Sequence, residues 1–298
     1  MEAWAGIEPA HRGFADPCLT SWLPRRVVRR SRIVAFFCYS VESHGLHGSP
    51  NPFYDLGMLL FAHRGFHNRK IAENTLEAFE RAIDEGADGI EFDLRISRDG
   101  VPMVVHDENL HRVAGDARRV RDLTGKELQD VSLRGSGYVP TLNEVTSSWK
   151  SPVQFLIEVK DRDACELLIQ KLSTSAKLRE RTIVASFVLD DIERLRRNVP
   201  DVRTLYYSKT WPLPGRGRRI WSAIEKIAPW GMGFPVNTLS KRRILIIREK
   251  GFRVASWDLQ PLKRETRKLL KYDLDIAVAY KIDIFLKNRL KKMHRAKA

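Results

Sequence analysis

The sequence predicts an α/β protein: a TIM-like (β/α)8 barrel over residues 58–298, with a small insertion after the second strand. Two observations predict the barrel. From Met58 onward, eight short apolar runs alternate with loops and amphipathic segments, an order that implies parallel strands joined by right-handed crossovers. The stretch from Met58 to Ala298 also has the usual size of such a barrel, roughly 250 residues. A doubly wound open sheet is the competing arrangement for the same alternation.

The elements can be justified in chain order. "MLLFAH" is the first apolar run, and a loop follows it. "AENTLEAFERAIDEGAD" then brings Leu76, Phe79, Ala82 and Ile83 to helical spacing, with Gly86 where the helix should stop. The later runs are "GIEFDLRI", "VQFLIEVK", "RTIVASF", "VRTLYYS", "GMGFPV", "RVASWDL" and "DIAVAY". Helical stretches such as "DACELLIQKLSTSAKL", "DDIERLRRNV", "SKRRILIIREKG" and "PLKRETRKLLKY" lie between them.

Residues 1–57 read differently. Scattered Trp, Pro, Gly, Cys and His show no sustained period, and Pro and Gly break every candidate element. They predict a disordered or loosely attached leader, or an over-extended gene product with Met58 as the true start. "AHRGF" occurs both at Ala10–Phe14 and at Ala62–Phe66. The second copy ends a strand and enters a loop, where a barrel carries its active site. The first has no strand before it and its flanks do not match, so His11 and Arg12 should be dispensable.

Composition narrows the class. Three cysteines lie far apart with no CxxC, which argues against a disulfide scaffold or a thiolate zinc site and fits a reducing cytoplasm. No window reaches the roughly 18 to 20 apolar residues of a bilayer span. "IVAFFCYSV" after "RRVVRRSR" starts too late in the chain for a secretion signal and lacks a small-residue cleavage pattern. The formal charge of +15 fits a solvated basic surface or an anionic partner: a phosphate-bearing substrate, a lipid head-group layer or nucleic acid. Aromatics are not interleaved with the basic runs and no nucleic-acid motif occurs, so nucleic acid is not the expected partner. A non-catalytic phosphate- or nucleic-acid-binding protein is the reading from another functional class.

The chemistry-bearing residues gather at strand ends. Glu91 and Asp93 are two apart in "GIEFDLRI" and project to one face. Two carboxylates among Ile90, Phe92 and Leu94 require a metal or cationic partners, and oxygen ligands suit Mg²⁺ or Ca²⁺. Asp99-Gly100 signals a two-residue hairpin. With Arg98 facing Val101, Asp93 would lie directly across from His106, which would then be a ligand or a general acid/base. Glu158 and Lys160 repeat the same-face logic in "FLIEVK". Lys160 and Arg64 suit phosphate oxygens.

These residues carry a resemblance. "HRG" with "ENTLEAF", "GADGIEFDLRISRDGVPMVVHD", "VRDLTGKEL", "PTLNEV" and "LIEVK", followed by "GFRVASWDL", resembles the glycerophosphodiester phosphodiesterase family over about Leu59 to Trp257. The resemblance implies a TIM-like barrel and one divalent cation, Ca²⁺ or Mg²⁺, held by Glu91, Asp93 and Glu158. It implies His63 and His106 as the acid/base pair. Arg64 and Lys160 would contact phosphate, and Trp257 the substrate. The implied activity is hydrolysis of glycerophosphodiesters to sn-glycerol 3-phosphate and an alcohol. The last strand departs from the family: "YDLDIAVAYKID" lacks the familiar glycine and Thr-Asp pair, which bears on substrate preference. A lysophospholipase D acting on lysophospholipids is the alternative. Trp211, Trp221 and Trp230, with nearby basic residues, could rest on an anionic membrane as a peripheral contact.

Overall fold

The computed structural model describes residues 58–149, 153–212, 216–258 and 263–287. The predicted leader, with His11 and Arg12, lies outside the described residues. Among the described residues nine strands are present: β1 (Leu59–His63), β2 (Gly89–Ile96), β3 (Pro102–Val104), β4 (Gln154–Val159), β5 (Thr182–Ser186), β6 (Arg203–Tyr207), β7 (Gly231–Pro235), β8 (Arg253–Trp257) and β9 (Ile276–Ala279). Eight of them run parallel in the order β1-β9-β8-β7-β6-β5-β4-β2, and β1 also pairs with β2, so the sheet closes. Phe61 lies beside Gly89 on one side of β1, and Leu59 beside Ile276 on the other. The eight predicted runs are these eight strands, and closure removes the open-sheet alternative.

Alternation along each strand decides which side chains enter the barrel. Leu60, Ile90, Phe92, Leu94, Phe155 and Ile157 point outward into the layer shared with the helices. Phe61, Leu156, Ile183, Ala185, Leu205 and Ala255 fill the interior. In this parity Glu91, Asp93 and Glu158 share the inward face with Phe61 and Leu156, a costly placement for charge. The helix Leu76–Asp84 shows how local sequence serves the layer: Thr75 caps its first turn by accepting from the Ala78 N–H, and Ala78, Phe79 and Ala82 are buried.

Between β2 and β4 sits the predicted small insertion, with its own apolar cluster of Met103, Val105, Leu110, Val120, Leu123, Leu128 and Val139. Two of the motifs singled out in the sequence prove to be helix starts within it. Thr124 with Glu127 and Thr141 with Glu144 form reciprocal capping boxes on the helices Gly125–Gln129 and Leu142–Ser147.

The hairpin differs from its prediction by one residue. Leu94 pairs with Val104 and Ile96 with Pro102, so the loop holds three residues, Arg98, Asp99 and Gly100. Gly100 adopts a left-handed φ of +78°, the bulge position of a three-residue turn. The Asp99 carboxylate fixes this form: its Oδ1 accepts from Ser97 Oγ at 2.6 Å and from the Gly125 N–H at 2.9 Å. Val105, not His106, therefore stands across from Asp93, donating its N–H to the Asp93 carbonyl at 3.0 Å. β3 ends at Val104, and His106 reaches the site from the loop beyond it.

Gly65 explains the glycine of "HRG". Its φ is +78°, and a Cβ there would stand 2.7 Å from the backbone of Ala78 in the neighbouring helix. Gly65→Ala is expected to destabilise the barrel by about 2–4 kcal/mol, combining left-handed strain with overpacking. Urea unfolding of the two proteins checks this.

Trp211 and Trp221 are half-buried against the helix–barrel layer. Their rings meet at 5.7 Å, Trp211 packs on Phe234 at 5.5 Å, and Trp230 packs against the barrel interior. Among the described residues no helix is long and apolar enough to cross a membrane.

Candidate active site

All of the singled-out strand-end residues meet at the carboxyl mouth of the barrel. His63 ends β1, Glu158 lies near the end of β4, and Trp257 ends β8. A cavity of about 920 Å³ opens there, and its lining includes His63, Arg64, Glu91, His106, Glu158, Lys160 and Trp257. Asp93 lies beneath, fully buried.

The floor is acidic. Neighbouring parallel strands place Asp93 of β2 beside Glu158 of β4. One carboxylate oxygen from each of Glu91, Asp93 and Glu158 lies within 4.8 Å of the others, all three side chains being buried. Lys160 Nζ is 3.1 Å from Asp93 Oδ1 and ion-paired with Glu158. Arg64 Nε is 3.2 Å from Asp93 Oδ2, and Asn74 Nδ2 donates to the same oxygen at 3.1 Å. Burial alone would raise the Asp93 carboxyl, but Lys160 and Arg64 outweigh it and hold it well below the usual carboxylate range. Glu91 has the opposite fate. Burial, followed by the charges of Asp93 and Glu158, pushes it well above its ordinary value.

Three carboxylates thus face two cations; burial also pushes Glu158 up, and Glu91 carries the larger share of the shortfall. Asp93 Oδ1 is buried without an aligned hydrogen-bond donor. An all-oxygen donor set and three buried carboxylates set against two cations together fit a hard divalent cation.

The two histidines occupy unlike surroundings. The His63 ring lies 4.1 Å from the Tyr280 ring, centroid to centroid, and its Nε2 is 3.9 Å from Glu91 Oε2. Burial and the Arg64 charge hold His63 well below its ordinary pKa, so at neutral pH it is an uncharged acceptor. His106 is more open, and its Nδ1 lies 2.6 Å from Asp107 Oδ1. Asp107 in turn accepts from Arg112 Nε at 2.7 Å, and Arg112 clamps Glu73 with both terminal nitrogens at 2.6 Å. Glu73 accepts from Arg64 Nη1 at 3.0 Å, closing a chain of charges from His106 to Asp93.

Sequence reasoning did not single out Glu73, Asn74, Asp107, Arg112, Tyr207 or Tyr280. A signal for the first three was available: Glu73 and Asn74 sit in "ENT" and Asp107 in "VVHD". Asn74 and Arg64 both adopt a left-handed φ of +57°, a strained conformation held by the Asn74 N–H donating to the Arg64 carbonyl at 3.0 Å. Tyr280 stands where the last strand departs from the family pattern. Trp257 has its ring 4.7 Å from that of Tyr207.

A closed parallel barrel whose titratable groups converge on the carboxyl ends of its strands defines an enzyme-type (β/α)8 protein with a mouth suited to an anion and a hard cation. The sequence model of the glycerophosphoryl diester phosphodiesterase family matches residues 63–279, and the chain belongs to that family. A glycerophosphodiester phosphodiesterase of Bacillus altitudinis is 30% identical over 156 residues, 48% of this chain and 63% of that protein. One from Caldanaerobacter subterraneus is 31% identical over 158 residues, 49% of this chain and 64% of its own length. The chain therefore matches less than two thirds of the length of these curated relatives. The glycerophosphodiester phosphodiesterase of Thermotoga maritima superimposes with a TM-score of 0.62 at 27% identity, covering 77% of this chain and 97% of that one. An Oleispira antarctica phosphodiesterase, solved in complex with the product sn-glycerol-3-phosphate, shares the fold at 19% identity, with a TM-score of 0.67 over 78% of this chain and 97% of its own.

Proposed function

We propose that this protein is a divalent-cation-dependent phosphodiesterase that hydrolyses glycerophosphodiesters to sn-glycerol 3-phosphate and an alcohol. The observation that carries the reading is the convergence of a buried carboxylate triad, two histidines and two cations on one cavity. Family membership supports it independently.

Glu91, Asp93 and Glu158 would hold the ion, Ca²⁺ or Mg²⁺, which neutralises charge developing on the phosphoryl oxygens. Lys160 and Arg64, which now balance the carboxylates, would then have charge to spare for the phosphate. His63, uncharged at neutral pH, would take the proton of the nucleophile: water directly, or the substrate's neighbouring hydroxyl, whose attack gives a cyclic phosphate that water then opens. Burial, with the charges of Arg64 and Lys160, also holds His106 below its ordinary pKa, although Asp93 and the Asp107 carboxylate at its Nδ1 pull the other way; His106 is thus a weakly held proton donor, oriented by Asp107. Its other nitrogen is free to protonate the departing alkoxide. Trp257 forms wall on the substrate side.

The three tryptophans of the basic segment are half-buried in packing contacts, which favours a small diester over a lysolipid at a membrane. Assaying a glycerophosphodiester and a lysophospholipid with the same head group, each with Ca²⁺ and Mg²⁺, tests this. Faster lysophospholipid turnover would reverse the order of the two readings.

The triad also predicts a pH-dependent cation effect. The folded-state pKa of Glu91 is raised, so its contribution to stability is present at low pH and lost as pH rises through that value. Divalent cation offsets this loss by binding the ionised form. The rise in melting temperature on adding Mg²⁺ or Ca²⁺ should therefore be larger at pH 8 than at pH 5. An equal or reversed effect would count against the triad as the ion's seat.

A further inference from the structure

The cavity extends beyond the phosphate-handling groups, and one wall of it is aromatic. Phe187 and Tyr207 meet edge to face at 5.5 Å, Phe187 and Trp257 at 5.8 Å, and Tyr207 and Trp257 lie closer to stacked at 4.7 Å. The sequence makes space for this wall. A Cβ on Gly233 would stand 2.5 Å from the Tyr207 ring and 3.3 Å from the Trp257 ring, so the two rings occupy room that only glycine leaves. The Tyr207 hydroxyl is buried without a hydrogen-bond partner, and it feels the negative charges of Glu91, Glu158 and Asp93 at the floor. A buried phenol left unpaired is costly unless a ligand oxygen satisfies it.

An aromatic wall beside a phosphate site would ordinarily suit a quaternary ammonium head group, which binds over ring faces. This wall differs. Two of the protein's own ammonium groups already lie over Phe187, Lys209 Nζ at 5.5 Å and Lys160 Nζ at 6.0 Å. Lys209 is exposed at the rim, where an entering head group would meet it. Outside the triad, the carboxylate that lines the cavity is Asp258, fully buried and accepting the Tyr280 backbone N–H at 3.0 Å. A cationic head group would therefore meet like charge at the rim and over the ring. A polyol would rest its carbon face on Tyr207 and Trp257 and offer a hydroxyl to the unpaired phenol.

We infer that the head-group end of this cavity selects uncharged, polyhydroxylated alcohols over cationic ones, with Lys209 as the residue that excludes positive charge. The inference rests on the diesterase reading and names the substrate class of that same site.

The test compares kcat/KM of the cation-loaded full chain on glycerophosphoglycerol, glycerophosphoinositol, glycerophosphocholine and glycerophosphoethanolamine. The two polyol esters should exceed the two cationic esters by about tenfold or more, the scale of one repulsive charge at a partly exposed position. Lys209→Glu should cut that ratio by about tenfold, and Lys209→Gln by less. Raising ionic strength should narrow the wild-type ratio, because an exposed charge is screened and a steric filter is not. Choline and ethanolamine esters turned over as fast as the polyols, or a ratio untouched by Lys209→Glu and by salt, would overturn the inference while leaving the diesterase reading standing. No turnover of any of the four would overturn that reading and the inference with it.

Discussion

Asp93→Asn is expected to abolish diester turnover while leaving the barrel folded. Asparagine keeps the volume of a side chain that has no solvent exposure, and its oxygen can still accept from Asn74 Nδ2 where Oδ2 now stands. What it loses is charge. Two carboxylates would remain against Arg64 and Lys160, a balanced set that no longer calls for a cation. Metal-ion charge stabilisation is worth several kcal/mol in a transition state, so its loss should cost about 10³-fold or more in kcat/KM. Circular dichroism should show an unchanged fold, and the cation-induced rise in melting temperature should vanish. Activity within tenfold of wild type would remove Asp93 from the ion's ligands.

The second large effect concerns the histidines. His63→Ala and His106→Ala should each lower kcat by about 10² to 10⁴, the range of a lost general acid or base. Neither ring is needed for packing to the same degree as the phenylalanines around the barrel, so both variants should fold. The double substitution should cost less than the product of the two, because residues acting as a unit are not additive. His11→Ala is the control: in sequence the first AHRGF copy follows no apolar run like the one before the second, and its rate should equal wild type. A drop in that variant comparable to His63→Ala would contradict the distinction between the copies.

Much of the barrel was legible in the sequence because parallel strands buried on both faces leave apolar runs that loops and helices separate. The triad was legible for a related reason. A period of two forces Glu91 and Asp93 onto the face opposite Ile90, Phe92 and Leu94, and it does the same for Glu158. Lys160 was found by the same parity, although it stands just past β4, its N–H donating to the Leu94 carbonyl at 3.0 Å. The hairpin register was misread because Asp99-Gly100 suits two turn lengths. The choice between them was made by Gly125, far along the chain, donating to Asp99. The Glu73–Arg112–Asp107 chain was not legible at all as a contact. It joins two loop residues and one from the single-turn helix His111–Ala114 across 39 positions, and neither loops nor so short a helix carry a periodicity from which such a pairing could be read. Tyr207, Gly233 and Trp257 belong to three different strands, and their mutual fit exists only once the barrel closes.

The measurement that bears most directly on the central claim is glycerophosphodiester hydrolysis by the full chain with divalent cation and with excess chelator. It is best run on glycerophosphoglycerol, with wild type and His63→Ala side by side. The site described above predicts turnover with Mg²⁺ or Ca²⁺, its loss on chelation, its recovery when the ion is restored, and a residual rate at least about 10²-fold lower in His63→Ala. Full activity in excess chelator, or equal rates in wild type and His63→Ala, would contradict it.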